Sequence, residues 1–300
     1  MEHTSDSHIG QVYVPVVNWI LMVACIGLVV GFQTSARLAA AYGIAVTMTM
    51  VITTLLYMGV AIHLWNWNKA KVFAIGLPLL VIDIGFFVAQ VIKIPHGGWF
   101  ALLVGIAQFT MMTTWRRGRT IVAKEIQRAE IPIDSFVESL PDNETWQRVP
   151  GTAVFLFKDA GAAPPALLEN MRHNKVLHDT VLLLSVNTTD HPYMPPAERA
   201  HVERCGPSIW QVVLTFGFMD EPDVPAAIAA LAESRPEMKI TLGDVTYFLG
   251  RETVLATPVR NMHPLREQIF VFQNRTAASA ARFFRLPSKA VYEVGTTIEI

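Results

Sequence analysis

The stretch from Leu38 to Leu64, LAAAYGIAVTMTMVITTLLYMGVAIHL, constrains this chain more than any other: 27 residues with four threonines and no Asp, Glu, Lys or Arg. A hydrocarbon core about 30 Å thick takes about 20 apolar residues at 1.5 Å rise each, and a helix is the form that satisfies its own backbone there. The run reads as a membrane span, and the chain as a membrane protein.

Charge is spread unevenly along the 300 residues. The first 115 carry almost none, and the rest has ordinary globular composition. That asymmetry predicts a membrane part followed by a water-soluble part of about 180 residues, long enough to bury its own core. Four apolar runs fit spans, at about 14–32, 39–64, 72–92 and 99–115. The predicted organisation is a transmembrane domain over 1–119, a connector over 120–149 and a cytoplasmic α/β domain over 150–300. Basic residues flank alternate connections: Lys69 and Lys71 follow the second run, and Arg116, Arg117 and Arg119 follow the fourth. The opposite side holds only Arg37 and Lys93. The positive-inside rule then puts both termini and the soluble part in the cytoplasm, and Tyr13, Trp19, Trp65, Trp67, Trp99 and Trp115 fall where a bilayer interface collects aromatics.

The start, MEHTSDSHIGQ, has no basic n-region, so the first run is expected to stay as a span. Beyond Pro150 the pattern turns to short β-type runs alternating with helical ones, which predicts a layered α/β domain without giving strand order. A long helix is expected from about His263 to Phe284. The net charge of −1 points to no polyanionic partner. Two cysteines, Cys25 and Cys205, give neither a disulfide framework nor a zinc spacing.

Asp83 is the only acidic residue inside the four runs and sits near the middle of the third. A carboxylate there is costly, so it must face other helices or a polar path, or take up a proton. It is a candidate relay for a proton or cation; the alternative is a buried carboxyl held by hydroxyls such as those of Thr47, Thr49 or Thr53. On the second run, Tyr42, Gly43, Thr47 and Thr49 form a polar stripe among small residues, which suits close helix packing or a weakly held alkali cation. His201 and Cys205, four apart, would share a helix face, but two ligands make no metal site. No phosphate-binding loop, nucleophile elbow or carboxylate pair appears, so no enzyme is expected.

Several motifs carry a family resemblance. GQVYVPVVNWILM (Gly10–Met22), LAAAYGIAVT (Leu38–Thr47) and FFVAQVIKIPHGGW (Phe86–Trp99) resemble the late spans of the KUP/HAK/KT potassium uptake family. RVPGTAVFL (Arg148–Leu156), HNKVLHDTVLLLSV (His173–Val186), GFMDEPDVP (Gly217–Pro225), YFLGRET (Tyr247–Thr253) and the terminal GTTIEI resemble its soluble domain. The resemblance implies a potassium transporter of the inner membrane, with potassium and protons as transported species and no cofactor. It implies a LeuT-like bundle of about twelve spans and a cytoplasmic domain that regulates and forms a homodimer. This chain matches only the last four spans and that domain, so transport is not expected from it alone. A membrane-anchored module that binds a partner or a nucleotide is the other reading. Against the family pattern, Met48 and Gln90 replace glycine and asparagine, and Ala101 replaces proline.

Overall fold

The computed structural model describes residues 2–140, 147–255, 262–277 and 279–299, and residues 141–146 of the predicted connector lie outside these. Residues 14–113 form one compact unit; those from Thr114 onward, with the first thirteen, form the other.

A two-residue antiparallel pair, β1 (Glu2–His3) with β2 (Val12–Tyr13), precedes the helices. Helix α1 spans Pro15–Phe32, α2 Ser35–His63 and α3 Lys69–Val91. A 3-10 turn at Ile94–His96 leads into α4, Gly98–Ala129. Pro15 opens α1 at a position whose N–H would be unpaired anyway. The Asn68 side chain caps α3 by accepting from the Ala70 N–H at 2.9 Å. Between α3 and α4, Gly97 holds φ 140°, and a Cβ there would lie 2.6 Å from the Arg37 carbonyl oxygen. Only glycine combines that backbone with that approach.

Helices α2 and α3 pack as an antiparallel hairpin in contact at three levels. Met58 and Ala61 meet Val72 and Gly76, Thr54 meets Asp83, and Gly43 meets Gln90. Gly76 admits Met58, whose Sδ would stand 2.6 Å from a Cβ at that position. Helix α1 buries none of its 18 residues.

The helices α1, α2 and α3 are long and apolar enough to cross a membrane, with mean hydropathies of 2.2, 1.9 and 2.4 over their best windows. They are the three described helices that meet both conditions, one fewer than the predicted count. The run 99–115 is instead the first half of the 32-residue α4. Gln108, Thr110, Thr113 and Thr114 dilute its apolar character. No proline interrupts the chain until Pro132, so the helix continues through the charged residues after Trp115.

The second unit continues with α5 (Ile133–Glu138), β3 (Gln147–Leu156), α6 (Pro165–Glu169), β4 (Val176–Thr189), β5 (Ala200–Arg204) and β6 (Ile209–Gly217). After these come α7 (Val224–Ser234), β7 (Val245–Leu255), α8 (Pro264–Arg275), α9 (Ala280–Phe283) and β8 (Val291–Glu299). The sheet order is β5-β6-β4-β3-β7-β8, parallel throughout except for the antiparallel edge pair β5–β6. The chain builds outward from β3 to one side, then returns to add β7 and β8 on the other. This is a doubly wound α/β sheet covered on both faces.

Successive strand residues point to opposite faces. Val154, Leu156, Leu182 and Leu184 join the core under α7, whereas Ala153, Phe155, Val181 and Leu183 join the core under α5 and α6. Burial on both faces explains why these strands read as unbroken apolar runs.

Two expectations are corrected here. The helix expected over 263–284 is broken into α8 and α9: α8 ends at Arg275 with Thr276 as its C-cap, and the next N–H, that of Ala277, tightens onto the Asn274 carbonyl at 3.4 Å. His201 lies on β5, which the sequence reading missed, and Cys205 follows it. Extended backbone separates residues four apart by about 13 Å, so they share no ligand position.

The GFMDEPDVP motif is a structural hub. Asp220 Oδ2 accepts from the Gly217 and Met194 N–H groups at 2.8 and 2.9 Å, while Oδ1 pairs with Arg199 at 2.9 Å. Asp223 caps α7 by accepting from the Ala226 N–H at 2.9 Å.

Candidate functional site

Asp83 lies midway along α3 and is only 7% exposed. Thr54 of α2 donates its hydroxyl to Asp83 Oδ2 at 2.6 Å. The basic residues of α2 and α3 stay near the helix ends, at Arg37, Lys69 and Lys71. The carboxylate is therefore met at depth by a hydroxyl, and not by a cation of these helices. Pro78 stands five residues before it inside α3.

The carboxylate opens into a groove of about 470 Å³ lined by Tyr42, Thr49, Thr53, Thr54 and Asp83, with Ala45, Val46 and Met50 supplying its apolar wall. Helical spacing builds it: residues 42, 46, 49 and 53 return to one face of α2, and Thr54 stands at the edge of that face toward Asp83 of α3. Thr47, two turns before Thr54, shares its side of the helix but does not reach the groove. Its hydroxyl is buried and donates to the Gly43 carbonyl at 2.8 Å. Thr49 likewise donates to the Ala45 carbonyl at 2.9 Å, which leaves its oxygen lone pairs toward the groove. Tyr42 is 73% exposed at the groove's end.

Of the residues singled out from sequence, Tyr42, Thr49 and Asp83 thus line one groove, and Thr47 does not. The hydroxyl that binds Asp83 is Thr54, rather than Thr47, Thr49 or Thr53. Residue counting does not find it: counting back from the short turn at Leu64–Asn68 sets residue 83 opposite about residue 49, and the rotation of the two helices brings Thr54 to it instead. Gln90, the residue that departs from the family pattern, reaches Gly43 so closely that a Cβ there would sit 2.7 Å from its Oε1. That oxygen is buried with no hydrogen-bond partner.

The sheet domain offers less chemistry. The switch point of a doubly wound sheet lies here between the ends of β3 and β7. Pro164 and Pro165 stand at the start of α6, removing the N–H groups that would cradle a phosphate, and α6 has only five residues. No group of three or more His, Cys, Asp or Glu is placed to hold a metal among the described residues. Burial pushes the Cys205 thiol and the Tyr247 phenol up.

His178 stands at the start of β4. Burial holds it below its usual 6.5, against the pull of Asp244 and Asp179. Its ring stands edge-on to Phe248 at 5.8 Å, and its buried Nδ1 has no hydrogen-bond partner. The folded state therefore takes up this proton less readily than the unfolded state. Stability is full above 6.5 and falls as pH drops through 6.5, until the folded imidazole itself titrates. The expected result is that the opening free energy of β4, from amide exchange in the full chain, falls between about pH 7.5 and about pH 5.5. His178→Phe should flatten that slope; an unchanged slope would assign the dependence to other groups.

A hairpin of two span-length apolar helices that keeps a carboxylate and hydroxyls midway along its length, followed in the chain by α4 and an α/β domain, defines an integral membrane protein. Comparison with known proteins sharpens this. Residues 1–120 match the model for the K+ potassium transporter integral membrane domain, and residues 150–300 match that for the K+ potassium transporter C-terminal domain. The chain belongs to the potassium transporter family, the KUP/HAK/KT family its motifs resemble. It is 45% identical over 298 residues to a probable potassium transport system protein Kup 2 of Rhizorhabdus wittichii, covering 99% of this chain and 46% of that protein. Probable Kup proteins of Anaeromyxobacter dehalogenans and Herminiimonas arsenicoxydans are each 43% identical over all of this chain and over 45% and 48% of their own lengths. The chain spans about half the length of the curated relatives it matches.

Proposed function

We propose that this chain is the C-terminal half of a potassium uptake transporter that couples potassium entry to protons. The observation that carries this is the Asp83–Thr54 pair, a nearly buried carboxylate at mid-span without a basic partner on its hairpin. An uncompensated negative charge is expensive in hydrocarbon. Asp83 meets that cost by taking either a proton or a cation from the groove, and exchanging one for the other is what coupling requires. The lone pairs of Thr49 and Thr53 suit a partly dehydrated alkali cation. In this reading α4 is a fourth crossing, both ends of the chain face the cytoplasm by the positive-inside rule, and the membrane is the inner one. The groove is open along α2, so its remaining wall comes from the membrane helices that occupy the other half of the relatives. A nucleotide-binding module gains no support from the proline-blocked start of α6.

The test is potassium-limited growth and rubidium uptake in a strain without uptake systems, with this chain co-expressed beside the N-terminal half of the Rhizorhabdus relative. Uptake is expected only when both halves are present. Asp83→Asn should then lower it at least tenfold, about 1.4 kcal/mol or more, and Thr54→Val by several-fold, the loss of one hydrogen bond of about 1 kcal/mol. Full uptake by Asp83→Asn at equal expression would remove Asp83 from the pathway. Rescue by the 300-residue chain alone would show that no other half is needed.

A further inference from the structure

Helix α8 wears its polarity inside out. At about 100° per residue, Leu265, Ile269 and Phe272 fall within about 60° of one another, and Glu267 and Asn274 lie on the opposite side. Yet Glu267 is 5% exposed, whereas Leu265 and Phe272 are 65% and 64% exposed. The inner side faces the sheet: Asn274 Nδ2 donates to the Glu252 carbonyl at 3.5 Å, and Phe270 closes a cluster with Val122, Val254 and Ile298. The apolar stripe points the other way.

Its position on α4 says what covers it. Arg266 Nε donates to Thr114 Oγ1 at 2.9 Å, and the Phe270 ring centre lies 5.7 Å from that of Trp115. Gly118 is the point of closest approach, since a Cβ there would overlap the Phe270 ring. The two helices meet at one crossing around Phe270 and do not run side by side. Helix α8 is thus held across α4 at Trp115, Arg116 and Arg117, where the apolar composition ends. Tryptophan and arginine at that place are the marks of a membrane–water interface.

We infer that α8 docks on the bilayer surface, with Leu265, Ile269 and Phe272 among the upper acyl chains and the exposed Arg116, Arg275 and Arg282 against anionic lipid headgroups. The size of the patch favours lipid over a second protein. Leu265 and Phe272 together expose roughly 250 Å², and a specific protein interface takes about 800 Å² from each partner. That area is too small to hold a free partner. It is enough for a helix already tethered at the surface by a span, because tethering turns weak insertion into an intramolecular step. The inference rests on the reading of α4 as a membrane crossing.

The experiment uses the full chain with Cys25→Ser and Cys205→Ser, carrying one nitroxide at Phe272→Cys, Leu265→Cys, Phe109→Cys or Glu233→Cys. It is reconstituted in vesicles of equimolar phosphatidylcholine and phosphatidylglycerol. Collision rates with oxygen, which prefers the bilayer, and with a water-soluble nickel chelate give the depth of each label. The expected result is an oxygen-to-nickel ratio several-fold higher at Phe272 and Leu265 than at Glu233, and lowered when phosphatidylcholine alone is used. A ratio at Phe272 equal to that at Glu233, with Phe109 deep, would overturn the docking while leaving the crossing intact. Shielding from both reagents would show a protein cover, and dipolar broadening between labels would show a second copy; either overturns the lipid assignment. A shallow Phe109 would remove the premise itself.

Discussion

Replacing Gly217 with alanine is expected to destabilise the sheet domain by about 3 kcal/mol or more. A Cβ at this last residue of β6 would lie 2.6 Å from Tyr193 Cα and closer still to the Pro192 carbonyl. The obstacle is backbone, so no side chain can swing aside. That backbone is fixed in turn: Phe218 N–H donates to the His191 carbonyl at 3.0 Å and Met219 N–H to the Pro192 carbonyl at 2.9 Å. Asp220 holds the same loop through Met194 and Arg199. Amide exchange in β4 and β6 of the full chain measures the loss. A change below about 0.5 kcal/mol would mean that the loop yields and is not rigid as described. The companion variants order themselves by geometry. Asp220→Ala strands two backbone N–H groups and the Arg199 guanidinium, at about 3–5 kcal/mol. Asp220→Asn keeps an oxygen for both N–H groups and loses only the ion pair, so it should cost clearly less.

The second large effect is expected at Gly118→Ala, which should loosen α8 from α4 by about 3 kcal/mol. Phe270 is fully buried between Trp115 and Val122, and its ring has no space to retreat from a methyl group on α4. The hydrogen bond from Arg266 to Thr114 and the exposed ion pair from Arg119 to Glu252 flank the same contact and would be strained with it. Exchange protection of α8 should drop while that of β4 and β6 holds. Phe270→Leu in the same chain relieves the collision, so the double variant should lose less than the sum of the two, by about 1–3 kcal/mol. Strict additivity would show that Gly118 and Phe270 do not press on each other.

The membrane helices were legible because their signal is composition, which needs no partner to interpret. Asp83 was legible for the same reason: a charge in an apolar run stands out whatever packs on it. Thr54 was not, because choosing among four threonines on α2 depends on how the two helices are rotated and registered. Residue counts from the turn approximate register, and rotation is set by small contacts such as Met58 on Gly76. The sheet shows the same limit. Its strands were found as apolar runs, but residues buried on both faces carry no record of which neighbour lies beside them. The edge strand β5 escaped because AHVER is short and half solvated. Helix α8 was expected only as part of a longer helix, and nothing in its pattern says that Glu267 lies inside while Leu265 and Phe272 lie outside.

The central place of β3 also sets a timetable for synthesis. Its pairing with β4 joins Thr152 to Thr180, but its other edge waits for β7, where Thr152 meets Val245. Those 93 residues take a ribosome roughly 5 to 20 s to add. For that interval a central strand of the domain presents an unpaired edge, the kind of edge that recruits foreign strands. Holding that edge until β7 emerges is a task for a chaperone or for the ribosome surface, and slowing elongation within 181–245 should raise aggregation of this protein out of proportion to its final stability.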